Sequence, residues 1–199
     1  MIPVRELAML LDGERWRARW RLRGHAPLDA DAREGDLVAA AGVVRPLDET
    51  LIAPLSGRAC VAYRSRIRLG LGGYAPRETM QVRPFVLDLG DEEIVVAGDR
   101  AIFGLAPLWL WPLDPGRERS FLARHAVSAR DTAWTAGRLS EVTLELGARA
   151  LVGGTLVLVP RDEPPAHGEL GFRDPPPPSQ RIVGSRARPL VFLAPGGLP

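Results

Sequence analysis

The chain has 199 residues, 46% of them hydrophobic, and a formal net charge of +2, so it can bury a sizeable core and its charge alone implies no polyanionic partner. All 26 basic residues are arginine and the chain has no lysine or asparagine, a bias that the codons of a GC-rich bacterial genome explain. The single cysteine suits a reducing compartment, so the expected location is the cytoplasm, with membrane association as a further option. One cysteine excludes an intrachain disulfide framework and a Cys-based zinc site, and His25, His125 and His167 lack metal-ligand spacing, so no metal or cofactor is expected.

The opening "MIPVRELAMLLDGE" has no basic segment followed by an apolar one, and therefore no signal peptide. Pro3 and the stripe Val4, Leu7, Ala8, Leu11 predict a short helix over 3–11, stopped by Asp12-Gly13. "RWRARWRLR" at 15–23 alternates strictly, which predicts a half-buried strand with Trp16 and Trp20 facing inward; their four-residue spacing also fits a helix. From residue 34 the signals turn to β: "EGDLVAAAGVV", "ACVAYRSRIRL", and "RPFVLDLGDEEIVVA" with a hairpin turn at its centre. "GLGGYAPRE" at 70–78 reads as a loop. The uncharged run 101–113 is 13 residues long with two prolines, short of the roughly 20 needed to span a bilayer. Asp114 as N-cap and Pro115 at the first helical position predict a helix over 115–125 with Phe121 and Leu122 on its buried side. A last β region covers 140–160, proline-rich connections follow, and "RPLVFLAP" predicts a final edge strand.

Gly35 and Gly42 are seven apart, as are Gly147 and Gly154; such pairs mark a turn into a strand and then a bend in it. The fold class expected is mostly β: a small, closed, OB-like barrel with a short N-terminal helix and one internal helix. Residues 1–33 supply the N-terminal helix and the Arg/Trp strand, 34–160 the β domain, and 161–199 a proline-rich connection and edge strand of the same unit.

"APLSGRACVAYR" (53–64), preceded by "GDLVAAAGVV" and followed by "PFVLDLGDEEIVV" and "SEVTLELGARALVGGTL", resembles the GIDE domain, also called BAM or "beside a membrane". The resemblance covers about 34–160 and rests on the order and spacing of four blocks. It implies structural roles for Pro54, Leu55, Ser56, Gly57, Cys60, Tyr63, Arg64, Phe85, Asp88, Glu141, Gly147 and Gly154, with Glu141 paired to an arginine inside the fold. Eukaryotic proteins with this domain are ubiquitin or SUMO ligases through a RING of roughly eight Cys/His zinc ligands; one Cys and three His cannot supply one. The domain itself implies no catalytic residue.

In an unbroken strand 59–69, Cys60 would share a face with Arg64, Arg66 and Arg68, a setting that favours a thiolate if exposed. A Cys60 enzyme with His125 as base is therefore one reading, although no motif joins the two. Ser56-Gly57 lacks nucleophile-elbow flanks and reads as turn chemistry; Asp88 with Glu92 or Glu93 reads as an acidic hairpin turn rather than a carboxylate pair. Trp109 and Trp111 suit a membrane interface, and Arg with interleaved Trp in 15–23 suits nucleic acid only if the rings face out. "DPPPP" at 174–178 reads as a stiff connection. The function expected is a non-catalytic recognition or scaffolding module. Its expected partner is a protein, with a membrane surface next and nucleic acid last; Arg64, Arg66, Arg68, Trp109 and Trp111 are the candidate surface.

Overall fold

A computed structural model describes residues 13–67, 77–106, 114–126, 139–159 and 179–194. The expected helix at 3–11, most of the 70–78 loop, Arg68, Trp109, Trp111, His167 and the 174–178 tract lie outside the described residues.

The described elements are α1 (Gly13–Leu22), β1 (Ala26–Pro27), β2 (Leu37–Pro46), β3 (Leu51–Ile52), β4 (Ala59–Ile67), β5 (Arg77–Val82), β6 (Phe85–Asp88), β7 (Glu93–Ala97), β8 (Ala101–Gly104), α2 (Pro115–Arg124), β9 (Leu139–Glu145), β10 (Arg149–Val159), β11 (Ser179–Val183) and β12 (Leu190–Leu193). Strands β2, β6, β7, β11 and β10 pair in that order, and β10 returns to β2, closing a five-stranded barrel. Counted along the chain the path runs 1-2-3-5-4-1, with β7–β11 parallel and the other four pairings antiparallel. The first four strands thus lie in the Greek-key order 4-1-2-3, the OB-like mostly-β barrel that the strand pattern predicts. The hairpin of β6 and β7 pairs Asp88 with Glu93 across the predicted turn.

Two glycines explain local bends. Gly147 has φ +73°, a left-handed turn into β10, and a Cβ on Gly154 would lie 2.6 Å from Ile182 Cγ2, so β11 crosses where only glycine fits. The barrel core includes Val38, Val44, Leu87, Ile94, Val152 and Ile182. Phe192 joins it to Phe85 and Phe103 by edge-on contacts at 6.0 and 5.3 Å, each such pair contributing about 0.5–1.5 kcal/mol beyond burial.

A second sheet, which strand patterning alone does not separate from the barrel, is built from the insertions between barrel strands. β4 is its centre, flanked by β9 on one side and by β5 and β3 on the other. Val61, Ala62, Val142 and Leu144 from this sheet complete the barrel's apolar cluster. The family-like stretch 53–64 therefore lies in the added sheet.

Two expectations about elements are corrected. Residues 15–23 do not form a strand: 13–22 are α-helical, and α1 buries Ala18 and Leu22 against Leu151, Val191 and Leu193. Alternation at period two and a pair at i, i+4 coincide in this short stretch, and packing selects the helix because only two small or apolar residues need burial. Its close seat is possible because Gly104 and Gly153 lie beneath Ala18 and Leu22, where any Cβ would collide. "LVFL" is not an edge either: β12 pairs with β10 and, in parallel, with β8, and all four residues are buried. An unbroken apolar run is what burial on both faces requires.

Candidate functional site

Strand β4 separates two environments. Its pairing with β9 shifts between Cys60 and Ala62, so Val61 is a bulged extra residue. The shift moves Cys60 off the arginine face expected for it and onto that of Tyr63, Ser65 and Ile67. There Cys60 is 0% exposed, packs with Ala53 and Tyr63, and donates a 3.8 Å hydrogen bond to the Leu51 carbonyl. Burial first, then the carboxylates of Glu141 and Glu145, push the Cys60 thiol up to about 12. His125 caps α2; its Nε2 lies 2.8 Å from the Thr79 hydroxyl and its ring packs 4.6 Å from Phe121. Burial, then Arg77 and Arg124, lowers the His125 pKa. Cys60 and His125 thus each have partners other than one another.

On the same side, Glu141 is fully buried and does not pair with an arginine. It accepts the N–H groups of Leu55 at 2.9 Å and Ser56 at 2.8 Å and the Ser65 hydroxyl at 2.6 Å. The turn 53–58 needs such an acceptor: Gly57 has φ +74°, and its N–H already goes to the Ala53 carbonyl. Ser56 Oγ accepts the Arg58 N–H, the turn chemistry expected of it. Leu55 then reaches Ile67, Phe121 and Leu122, while Pro54 borders a shallow depression against α2. Tyr63 donates its hydroxyl to Gln81 at 3.0 Å. Asp88 pairs with Arg45 at 2.5 Å and accepts the Gly90 N–H, stabilising its hairpin.

The other face of β4 carries Arg64 and Arg66. Glu14, in the first turn of α1, bridges them: Arg64 donates to one carboxylate oxygen and Arg66 to the other at 2.7 Å. Arg66 also donates to Glu78, its cross-strand neighbour on β5, at 2.9 Å. Burial opposes the Arg66 charge, but its hydrogen bonds to Glu78 and Glu14 outweigh that and raise its pKa. The Arg64 guanidinium also lies 5.5 Å from the centre of the Phe103 ring. These arginines form one wall of a cleft of about 310 Å³ whose other walls include Arg17, Arg100 and Arg186. Five arginines and two glutamates leave a formal charge of +3 around it.

Topology makes this cleft. β8 and β12 run parallel, so the residues just before each, Arg100 and Arg186–Pro189, emerge at the same end. The Leu190 N–H donates to the Arg100 carbonyl at 3.0 Å, and a Ser185–Arg188 turn closed by hydrogen bonds of 2.8 and 3.0 Å holds the second loop beside it. α1 packs across β8 and β12 and turns Glu14 and Arg17 toward that end. Next to Arg17, Trp16 and Trp20 face outward, 67% and 59% exposed, with rings stacked at 6.4 Å.

Among the described residues no group of three or more His, Cys, Asp or Glu side chains could hold a metal ion, and no helix is long and apolar enough to cross a membrane. Sequence reasoning named Arg64 and Arg66, weighed Arg17 only as part of the 15–23 stretch and missed Arg100 and Arg186; the parallel pair and the helix seat bring these segments together. Compared with known protein families, curated proteins and solved structures, the chain finds no match in any of the three.

Proposed function

We propose that the chain is a recognition or scaffolding module of the GIDE/BAM type, acting by binding rather than catalysis. The observation that carries this reading is the state of Cys60: it is sealed under Ala53 and Tyr63, bonded to a carbonyl, and held as a thiol at physiological pH. Nucleophilic catalysis requires a thiolate and a positioned base in an accessible site. The polar groups of the family-like stretch instead brace one another, with Glu141 spending its oxygens on Leu55, Ser56 and Ser65.

Native thiol labelling tests the reading. Cys60 is expected to resist an aromatic disulfide reagent at neutral pH and to react fully once the chain is unfolded in urea. Rapid, stoichiometric labelling of the folded protein would overturn the binding-module reading and restore the cysteine enzyme.

A second reading has its own observation. Because 13–22 is helical, Trp16 and Trp20 are on the surface beside Arg17, Arg19 and Arg23. Exposed rings among guanidinium groups suit a phosphate-rich surface, and a module of this type would bind through α1.

A further inference from the structure

We propose that the cleft between α1, β4 and the loops preceding β8 and β12 is a binding site for a phosphate group, held by Arg17, Arg100 and Arg186. This deepens the binding-module reading by naming the chemistry of what is bound.

The cleft's cations fall into two sets. Arg64 and Arg66 are spent: Glu14 and Glu78 take their hydrogen bonds, and their side chains are only 12% and 19% exposed. They are fixed in position and the two glutamates offset their charge, so the surplus of +3 is that of the other three arginines. Arg17, Arg100 and Arg186 are exposed, and among the described residues their side chains make no hydrogen bond or ion pair. Three like charges around one concavity repel each other, and an anion seated among them removes that cost and receives charge-assisted hydrogen bonds. The guanidinium fork matches phosphate oxygens in geometry, and three forks on separate elements surround a tetrahedral anion better than a planar carboxylate. The floor is partly apolar, with Met80, Ala101 and Ile102, leaving room for a small group attached to the phosphate.

A soluble phosphate compound and a phospholipid headgroup share this chemistry. A headgroup would bring the exposed Trp16 and Trp20 rings against the bilayer interface; a soluble ligand would not need them.

The experiment has three arms on the whole chain. Isothermal titration with inorganic pyrophosphate at low ionic strength measures the soluble source. Co-sedimentation with phosphatidylcholine vesicles, with and without phosphatidic acid, measures the lipid source. Competition with a single-stranded oligonucleotide measures nucleic acid. Saturable binding of pyrophosphate or of phosphatidic acid vesicles is expected. It should weaken about tenfold or more in Arg100→Gln/Arg186→Gln and stay unchanged in Arg83→Gln, an exposed arginine outside the cleft. Trp16→Ser/Trp20→Ser should reduce vesicle binding alone. Circular dichroism and a thermal melt confirm that the variants fold. No binding to either probe, equal binding by the double arginine variant, or binding confined to the oligonucleotide overturns the proposal. Those failures leave the labelling result on Cys60 untouched, so the two readings fall separately.

Discussion

The two faces of β4 differ in how their charges are settled. On one, Glu141 is fully buried yet has three donors, two of them the Leu55 and Ser56 backbone N–H groups of the 53–58 turn. On the other, Glu14 and Glu78 answer Arg64 and Arg66, but three further arginines around the same cleft have no carboxylate partner among the described residues. A satisfied buried charge fixes structure; surplus charge in a concavity is left for a partner. Polar residues of similar prominence in the sequence thus divide into a brace and a binding surface.

The comparison breaks most decisively at Glu141. Glu141→Ala strands the N–H groups of Leu55 and Ser56 and is expected to cost about 3–5 kcal/mol in urea unfolding. Glu141→Gln, which keeps one acceptor, should cost less. If Glu141→Ala lost under about 1 kcal/mol, the carboxylate would not be the brace of the 53–58 turn.

Glu14→Gln should show a smaller effect of mixed sign. Loss of the bridge to Arg64 and Arg66 is expected to lower stability by about 1–2 kcal/mol. The same change removes a negative charge from the cleft, so pyrophosphate affinity should rise about 3- to 10-fold in the titration. Lower affinity would mean that Glu14 positions the ligand rather than merely offsetting the charge.

The smallest effect concerns pH. Burial, then Arg77 and Arg124, lowers the His125 pKa below its ordinary 6.5, so the unfolded chain holds the proton more tightly. The associated stability is present above the unfolded value and is lost as pH falls through the folded one. His25, lowered chiefly by burial, acts in the same sense. Urea midpoints should therefore fall between about pH 7 and pH 5, and His125→Gln should flatten part of that fall. An unchanged slope would remove His125 from the account.

Much of this was legible in advance, for reasons visible in particular residues. Asp114-Pro115 specifies the start of α2 through local hydrogen bonding, and its Oδ1 accepts the Arg117 N–H at 2.8 Å. The hairpin at Asp88–Glu93 and the turn at Gly147 follow from chemistry confined to a few residues, whereas Gly154 is required by Ile182 of β11. Other features depended on distant neighbours. The helical state of 13–22 rests on Gly104 and Gly153 leaving room for Ala18 and Leu22. The face of Cys60 turns on a bulge set by pairing with β9, 80 or more residues along the chain.

By itself, then, the sequence determined a mostly-β barrel, the helix that starts at Asp114-Pro115, a single cysteine without a motif partner, and the arginines as the available cations. Local rules suffice for these because periodicity, capping and turn preferences act within one element. Only the tertiary structure decided that the barrel carries a second sheet, that Cys60 is sealed, and that Arg17, Arg100 and Arg186 meet in one cleft. Long-range pairing brings such residues together, and its register is set by the whole core rather than by any segment of it.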